Sequence, residues 1–288
     1  MKEVIKKVKK IEISTRNLVE GLLQGAYHSV FKGRGIEFSD VREYSYGDAI
    51  KTIDWNVTAR MDTPFVKEFV EERDLTAYIV FDGSASESFG YEKEKRMSNI
   101  EIVASMVFAA QKNNDNIGLF IFTDKVEKFI PARKGKRHAL KIISELVRFK
   151  PESKKTDVYE ALRKINKVVK RKSIFFIVSD FDSDDFEKPF KILRLKHEII
   201  PINVFDTREN HIPEIGYVEF EDAETGEIFL IDTSDKEVMK SYYKLVKEDN
   251  KKIDGFFKRN KIDQIRIKND EDFAIPIRIF FKRRGARR

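Results

Sequence analysis

The chain has no cysteine, which excludes disulfides and thiolate zinc centres. It has four histidines, His28, His138, His197 and His211. All four lie outside the motif loops described below, so they read as surface or packing residues and not as catalysts. No segment approaches the roughly 20 consecutive apolar residues that a spanning helix needs. Residues 1–10 mix Lys with Val and Ile and read as neither a signal peptide nor a membrane span. No internal repeat and no low-complexity linker is visible. A cytoplasmic protein is therefore expected, in keeping with a reducing compartment.

What is present is a globular composition. Over 288 residues, hydrophobic side chains make up 41% and charged ones 36%, enough for a core beneath a heavily charged surface. The net charge is +7, which permits weak attraction to nucleic acid or anionic lipid. The basic residues are scattered along helical stretches, however, and no basic strand interleaved with aromatics is evident. Nucleic acid is not an expected partner. The densest basic run, Lys282-Arg283-Arg284 with Arg287-Arg288, reads as a solvated tail or, alternatively, as a phosphate or lipid contact.

Three regions differ in pattern. Residues 1–74 begin with a basic helix and become rich in Gly, Asp, Arg and aromatics from Gly33; they are expected to pack on the main domain. Residues 75–210 alternate short apolar runs with helical stripes. Leu75 to Phe81, Ile117 to Phe122, Ser173 to Val178 and Ile199 to Phe205 read as strands. Helices are expected near 93–113, 137–149, from Thr156 onward, and at 185–197. This alternation implies an α/β fold with a doubly wound, mostly parallel sheet of Rossmann type. Residues 211–288 read as an added β-hairpin around Glu224 to Glu227, a helix near 235–258, short strands at Gln264 to Ile267 and Ile277 to Phe281, and a basic tail.

In such sheets ligands bind beyond the carboxyl ends of the strands. Asp82 stands at the end of the first core strand and opens Asp82-Gly83-Ser84-Ala85-Ser86. Alternate side chains on an extended loop point the same way, so one carboxylate and two hydroxyls can converge. Hard cations favour such oxygens and keep some waters. Thr156, before a helix, and Asp180, after the strand Ile174 to Val178, fall at the same expected edge. Two readings stand for this set: a divalent cation cradle, or helix caps made by Ser84, Ser86, Thr156 and Asp180. Asp157 is an outer-shell candidate, and Asp182, Asp184 and Asp185 are nearby carboxylates.

Together Asp82, Ser84, Ser86, Thr156 and Asp180 resemble the metal-ion-dependent adhesion site of von Willebrand factor A-like domains. That resemblance implies one Mg²⁺, or Mn²⁺ or Ca²⁺, on these five residues. Upstream lies Gly35-Ile36-Glu37-Phe38-Ser39-Asp40-Val41-Arg42-Glu43-Tyr44, then Tyr46-Gly47-Asp48, Ile53 to Arg60, and Pro64 to Phe69. This stretch is similar to the signature of a bacterial family called domain of unknown function 58, which couples it to a von Willebrand A-like domain. The matching residues are Asp40, Arg42, Glu43, Tyr44, Gly47, Asp48, Asp54, Trp55, Arg60 and Glu72. Such proteins are typically encoded beside MoxR-type AAA+ ATPases, so the resemblance implies a partner of that class and, with it, a client protein. Read physically, Asp40, Arg42, Asp54, Arg60 and Glu72 suit a charge-assisted network, with Tyr44 and Trp55 supplying buried area. That network either pins the segment in place or forms a recognition surface.

Neutral hydroxyl ligands leave a cation electrophilic toward a partner's carboxylate, whereas hydrolysis needs a positioned base or a second metal. The leading expectation is a non-enzymatic, metal-dependent binding adaptor. The alternatives are a Mg²⁺-dependent phosphatase of haloacid dehalogenase type and a nucleic-acid-binding protein. The phosphatase would use Asp82 as its nucleophile, but such enzymes place a second Asp two positions later, where this chain has Ser84.

Overall fold

The computed structural model describes residues 2–20, 37–70, 75–84, 92–181, 186–205, 212–221, 226–268 and 271–286. The chain divides into two compact units: Met1–Val30 together with Thr76–Arg288, and Phe31–Leu75. The first helix, α1 (Lys2–Leu18), belongs to the larger unit.

The smaller unit pairs β1 (Glu37–Glu43) antiparallel with β2 (Phe65–Val70). Between them a 3-10 turn, Ile50–Thr52, leads into the short helix α2 (Trp55–Met61). Asp54 caps α2 by accepting from Asn56 N and Val57 N at 3.0 and 3.3 Å. Asp62, in the left-handed region at φ 55°, ends it.

The larger unit is built on a six-stranded sheet. Its members are β3 (Thr76–Asp82), β4 (Asn116–Phe122), β5 (Val126–Arg133), β6 (Ile174–Val178), β7 (Glu198–Phe205) and β10 (Ile265–Lys268). Their order is β10-β7-β6-β3-β4-β5, with all pairings parallel except β4 with the edge strand β5. This is the mostly parallel α/β sheet expected from the sequence. The central strands are apolar throughout because both faces are covered. Tyr78, Val80, Phe120, Phe122, Phe175 and Ile177 pack with helices α5 (Val158–Val168), α6 (Glu187–Arg194) and α7 (Lys236–Arg259). The alternate residues Ile79, Phe81, Leu119, Ile121 and Phe176 are equally buried and face the other way.

Helices α1, α3 (Glu92–Lys112) and α4 (Lys136–Arg148) pack on one another. Periodicity puts a single apolar face on α3. In the structure Ile102 through Ala110 are all buried, because α1 and α4 cover sides that a two-layer fold would leave wet.

Five phenylalanines tie α6 and α7 to the end of β6. Phe181, Phe186, Phe190, Phe256 and Phe257 meet mostly edge-to-face at centroid distances of 5.3 to 6.4 Å. Each buried ring contributes roughly 1.5–3 kcal/mol by area alone.

Beyond the sheet, β8 (Tyr217–Glu221) and β9 (Ile228–Asp232) form the expected hairpin. The expected strand at 277–281 is instead part of helix α8 (Ala274–Ala286). Ile277, Phe280 and Phe281 are buried there; their 3- and 4-residue spacings suit a helix face better than strand alternation. In the basic run, Arg287 and Arg288 lie outside the described residues, while Lys282, Arg283 and Arg284 belong to α8. Arg283 pairs with Asp263 at 3.4 Å, and Arg284 pairs with Glu198.

The sheet leaves little room at Gly118. A Cβ there would stand 2.5 Å from the Tyr78 ring and 2.8 Å from the Ile130 carbonyl oxygen. Gly118→Ala is expected to destabilise the protein by about 1–3 kcal/mol, read as a lower urea midpoint with an unchanged m-value.

Candidate metal centre

Asp82 ends β3, whose neighbours are β4 on one side and β6 on the other. The chain leaves β3 toward β4 and later returns on the far side through β6. The carboxyl end of β3 is thus the point where the winding reverses, the place where open α/β sheets form a crevice.

The Asp82 side chain is fully buried. Its Oδ1 accepts from Ser84 N at 3.0 Å and from Ser84 Oγ at 2.7 Å. Its Oδ2 accepts from Ser179 Oγ at 2.8 Å, across 97 residues of sequence. Gly83 permits this tight exit. Gly83 N donates to Phe122 O at 2.8 Å, and a Cβ there would stand 2.5 Å from the Phe149 ring.

Thr156 reaches the same edge through its neighbour. Asp157 N donates to Thr123 O, just beyond β4, at 2.9 Å. The expected cap role of Thr156 falls to Asp157, whose Oδ1 accepts from Glu160 N at 2.9 Å. Glu127 steadies the loop before it, accepting from Thr123 Oγ1 at 2.6 Å and from Glu152 N at 3.1 Å. Thr156 Oγ1 is left buried with no hydrogen-bond partner, an uncommon state for a hydroxyl.

Asp180 follows β6 and is half-buried. The next residue, Phe181, sits in the left-handed region at φ 61°, which costs of order 1–3 kcal/mol for a non-glycine residue. Burial of its ring in the phenylalanine cluster offsets this, and Phe181 N donates to Ser179 Oγ at 3.1 Å. The sharp turn ends β6 at Asp180.

Burial and then the negative charge of Asp180 push the Asp82 carboxyl up to about 7, against the opposing pull of the Ser84 and Ser179 hydrogen bonds. The structure therefore brings Asp82, Ser84, Thr156 and Asp180 to one sheet edge. Ser86, Asp182, Asp184 and Asp185 lie outside the described residues. Among the described residues no three His, Asp or Glu side chains converge as a metal-holding group. The set offers two carboxylates and leaves the remaining positions to hydroxyls and water. It fits a hard divalent cation on two counts: an orphaned buried hydroxyl, and the buried Asp82 carboxyl, whose ionised form burial and the charge of Asp180 disfavour.

Among the described signature residues of the smaller unit, two local arrangements are formed. Arg42 holds Asp48 in a two-pronged pair at 2.7 and 2.8 Å. With Ser45 N at 2.9 Å, this keeps the Asp48 carboxyl low, at about 2. Asp54 is engaged in its cap and in a 3.6 Å ion pair with Lys67. Asp40 accepts from Val41 N at 2.8 Å; Glu43 and Arg60 are exposed. Glu72 lies outside the described residues. Tyr44 is half-buried, and its N donates to Pro64 O at 2.8 Å. Trp55 does not supply buried area. It is 66% exposed, because α2 is a two-turn helix that buries none of its residues.

A family model described as "Protein of unknown function DUF58" matches residues 40–252. The chain belongs to the DUF58 family. Uncharacterized protein Rv1480 of Mycobacterium tuberculosis is 28% identical to it over 220 residues, 75% of this chain and 69% of that protein. Among solved structures, the conserved hypothetical protein BatB from Bacteroides thetaiotaomicron aligns at 11% identity and a TM-score of 0.46, over 74% of this chain and 99% of that one. The SpRpn10 VWA domain aligns at 10% identity and a TM-score of 0.38, over 71% and 94% respectively.

Sequence reasoning missed Ser179, Thr123 and Glu127 in this DUF58 protein. Ser179 stands beside Asp180 at a strand end, a visible signal. Thr123 and Glu127 carried no signal for the site, since the Thr156 loop they support lies 25 or more residues further on, where Glu127 accepts from Glu152 and Ser153.

The raised Asp82 carboxyl has a consequence for stability. Between the ordinary carboxyl range near 4 and the folded value of about 7, the folded state holds a proton that the unfolded state has lost. Without metal, this contribution to stability therefore falls as pH rises through that window. Asp82→Asn in EDTA is expected to raise the urea midpoint at about pH 8 and to leave it little changed at about pH 5.

Proposed function

We propose that this DUF58 protein is a metal-dependent binding adaptor of von Willebrand A-like design. Asp82, Ser84, Ser86, Thr156 and Asp180 would hold one divalent cation, with Mg²⁺ favoured by the all-oxygen set. The observation that carries this reading is the Thr156 hydroxyl, buried and unpartnered at the edge that bears the mutually repelling Asp82 and Asp180. When bound, the ion would supply an electrophilic position for a carboxylate from a partner protein. The chain's own part is orientation: Ser84 and Ser179 hold Asp82, Gly83 keeps the loop close, and Asp157 and Glu127 set the Thr156 loop.

We assign the partner to the MoxR-type AAA+ ATPase class, with a client protein whose maturation or assembly the pair assists. The smaller unit supports a recognition role. It exposes Tyr46, Ile50, Trp55 and Met61, the last three at 70%, 66% and 59%. Trp and Tyr are over-represented among the residues that dominate binding interfaces. A cytoplasmic location belongs to the same proposal; among the described residues no helix is long and apolar enough to cross a membrane.

Isothermal titration with Mg²⁺ or Mn²⁺ checks the site. The parent protein is expected to bind one ion, Asp82→Ala none, and Thr156→Val more weakly by about tenfold, the loss of one ligand. Equal binding by the parent and Asp82→Ala would sink the metal reading. Pull-down with a MoxR-type ATPase checks the partner, with Trp55→Ala expected to reduce recovery while leaving metal affinity unchanged. Full recovery with Trp55→Ala would remove Trp55 from the contact surface.

A further inference from the structure

A second polar recess lies at the opposite edge of the same sheet. The amino ends of β6, β7 and β10 are marked by Ser173, Glu198 and the segment Ile262 to Gln264. Here a cleft of about 580 Å³ opens, lined by Lys172, Arg194, Lys196, His197, Lys261 and Arg284 among others. That volume lies within the range of small-molecule sites, roughly 300–1,000 Å³.

The cleft carries a surplus of positive charge. Its lining holds five Lys and Arg side chains against two carboxylates, Glu198 and Asp263. Both acids are already engaged by arginines of α8, Glu198 by Arg284 and Asp263 by Arg283. Arg194 donates to the Asn260 and Lys261 carbonyl oxygens, bonds that leave its charge uncancelled. Lys172, Lys196 and Lys261 are exposed and form no ion pair among the described residues. A bland account assigns these cations to the carboxyl ends of α6 and α7, whose dipoles favour positive charge. Each such end carries only about half a negative charge, so a net surplus of about two remains.

The floor supplies an independent sign. His197 is 3% exposed, and its ring stands edge-on to Phe175 at a centroid distance of 5.0 Å. Neither ring nitrogen has a hydrogen-bond partner. A buried imidazole with both nitrogens unmet is costly, and the fold retains it at the wall of a cationic cleft. Burial, and next the nearby Lys196 charge, hold its pKa below the usual histidine value.

We propose that this cleft binds a small phosphorylated anion, whose phosphate oxygens are received by Lys172, Lys196 and Lys261, with the His197 ring in the cleft lining beside them. Phosphate suits the site better than a lone carboxylate. Its three terminal oxygens accept from several separate point donors at once, whereas the flat, two-oxygen carboxylate is matched by a guanidinium fork, and the cleft arginines already have partners. The cleft lies at the sheet edge away from Asp82 and does not depend on the metal reading.

Pyrophosphate is the probe, titrated calorimetrically into the full chain in EDTA and about 0.15 M salt, where diffuse surface attraction is screened. Saturable binding is expected, weakened at least about tenfold by Lys196→Glu with Lys261→Glu. It should be unchanged by Asp82→Ala and by Lys164→Glu, an exposed charge reversal on α5. Binding should also move the His197 imidazole nitrogen resonances in ¹⁵N spectra. The proposal is overturned by no saturation at millimolar pyrophosphate, by equal weakening with Lys164→Glu, by silent His197 resonances, or by binding of an oligoglutamate peptide in place of pyrophosphate. Because the titration excludes metal, loss of pyrophosphate binding leaves the Asp82 reading untouched, and failure of Mg²⁺ titration leaves this one untouched.

Discussion

A carboxylate with no exposure at the reversal point of a parallel sheet is the constraint around which the larger unit is arranged. Burying an ionised group without compensation is expensive. Asp82 is tolerated because two hydroxyls and one backbone N–H reach it, and even so its carboxyl is pushed up to about 7. Each of those donors needs its own support. Ser84 depends on the tight Gly83 exit against Phe149 and Ile121. Ser179 depends on the end of β6, where Phe181 turns the chain at positive φ. The phenylalanine cluster that anchors α6 and α7 is thus also what fixes the second acidic residue, Asp180, at the site.

The same dependence explains the loop that carries Thr156. That loop is tied to distant parts of the sheet as well as to its own neighbours. Glu127 on the edge strand β5 accepts from Glu152 and Ser153, and the backbone of Asp157 is fixed to Thr123. The antiparallel edge strand, which plays no part in the crevice itself, therefore sets the position of one of its walls. The opposite edge of the sheet follows a different logic. There helix carboxyl ends gather arginines and lysines, and the surplus charge beside His197 makes a cleft suited to anions, while the Asp82 edge suits cations. One sheet thus presents two polar ends of opposite chemical character.

The architecture was readable because burial on both faces leaves long apolar runs, as in Ile174 to Val178, and because α5 keeps a clean stripe of Val158, Ala161, Leu162 and Ile165. It was misread where a short apolar run is ambiguous. Ile277 to Phe281 has β-branched and aromatic residues that favour strands, yet packing against β10 made it helix. The stripe on α3 was read as one face because the covering by α1 and α4 is a long-range fact. In the smaller unit, charged residues close in sequence suggested a charge-assisted network; the structure adds to that reading a partner for Arg42, Asp48, and a local cap role for Asp54.

By itself the sequence determined the strand–helix alternation, the place of Asp82 and Asp180 at strand ends, and the signature that marks the family. These are local properties, set by hydrophobic periodicity and by residue order. Tertiary structure alone decided that Ser179 reaches Asp82, that Asp157 and not Thr156 caps α5, that Trp55 faces solvent, and that His197 is buried without a partner. Each of these is a question of which groups meet across tens of residues, and only the packed sheet and its covering helices supply those neighbours.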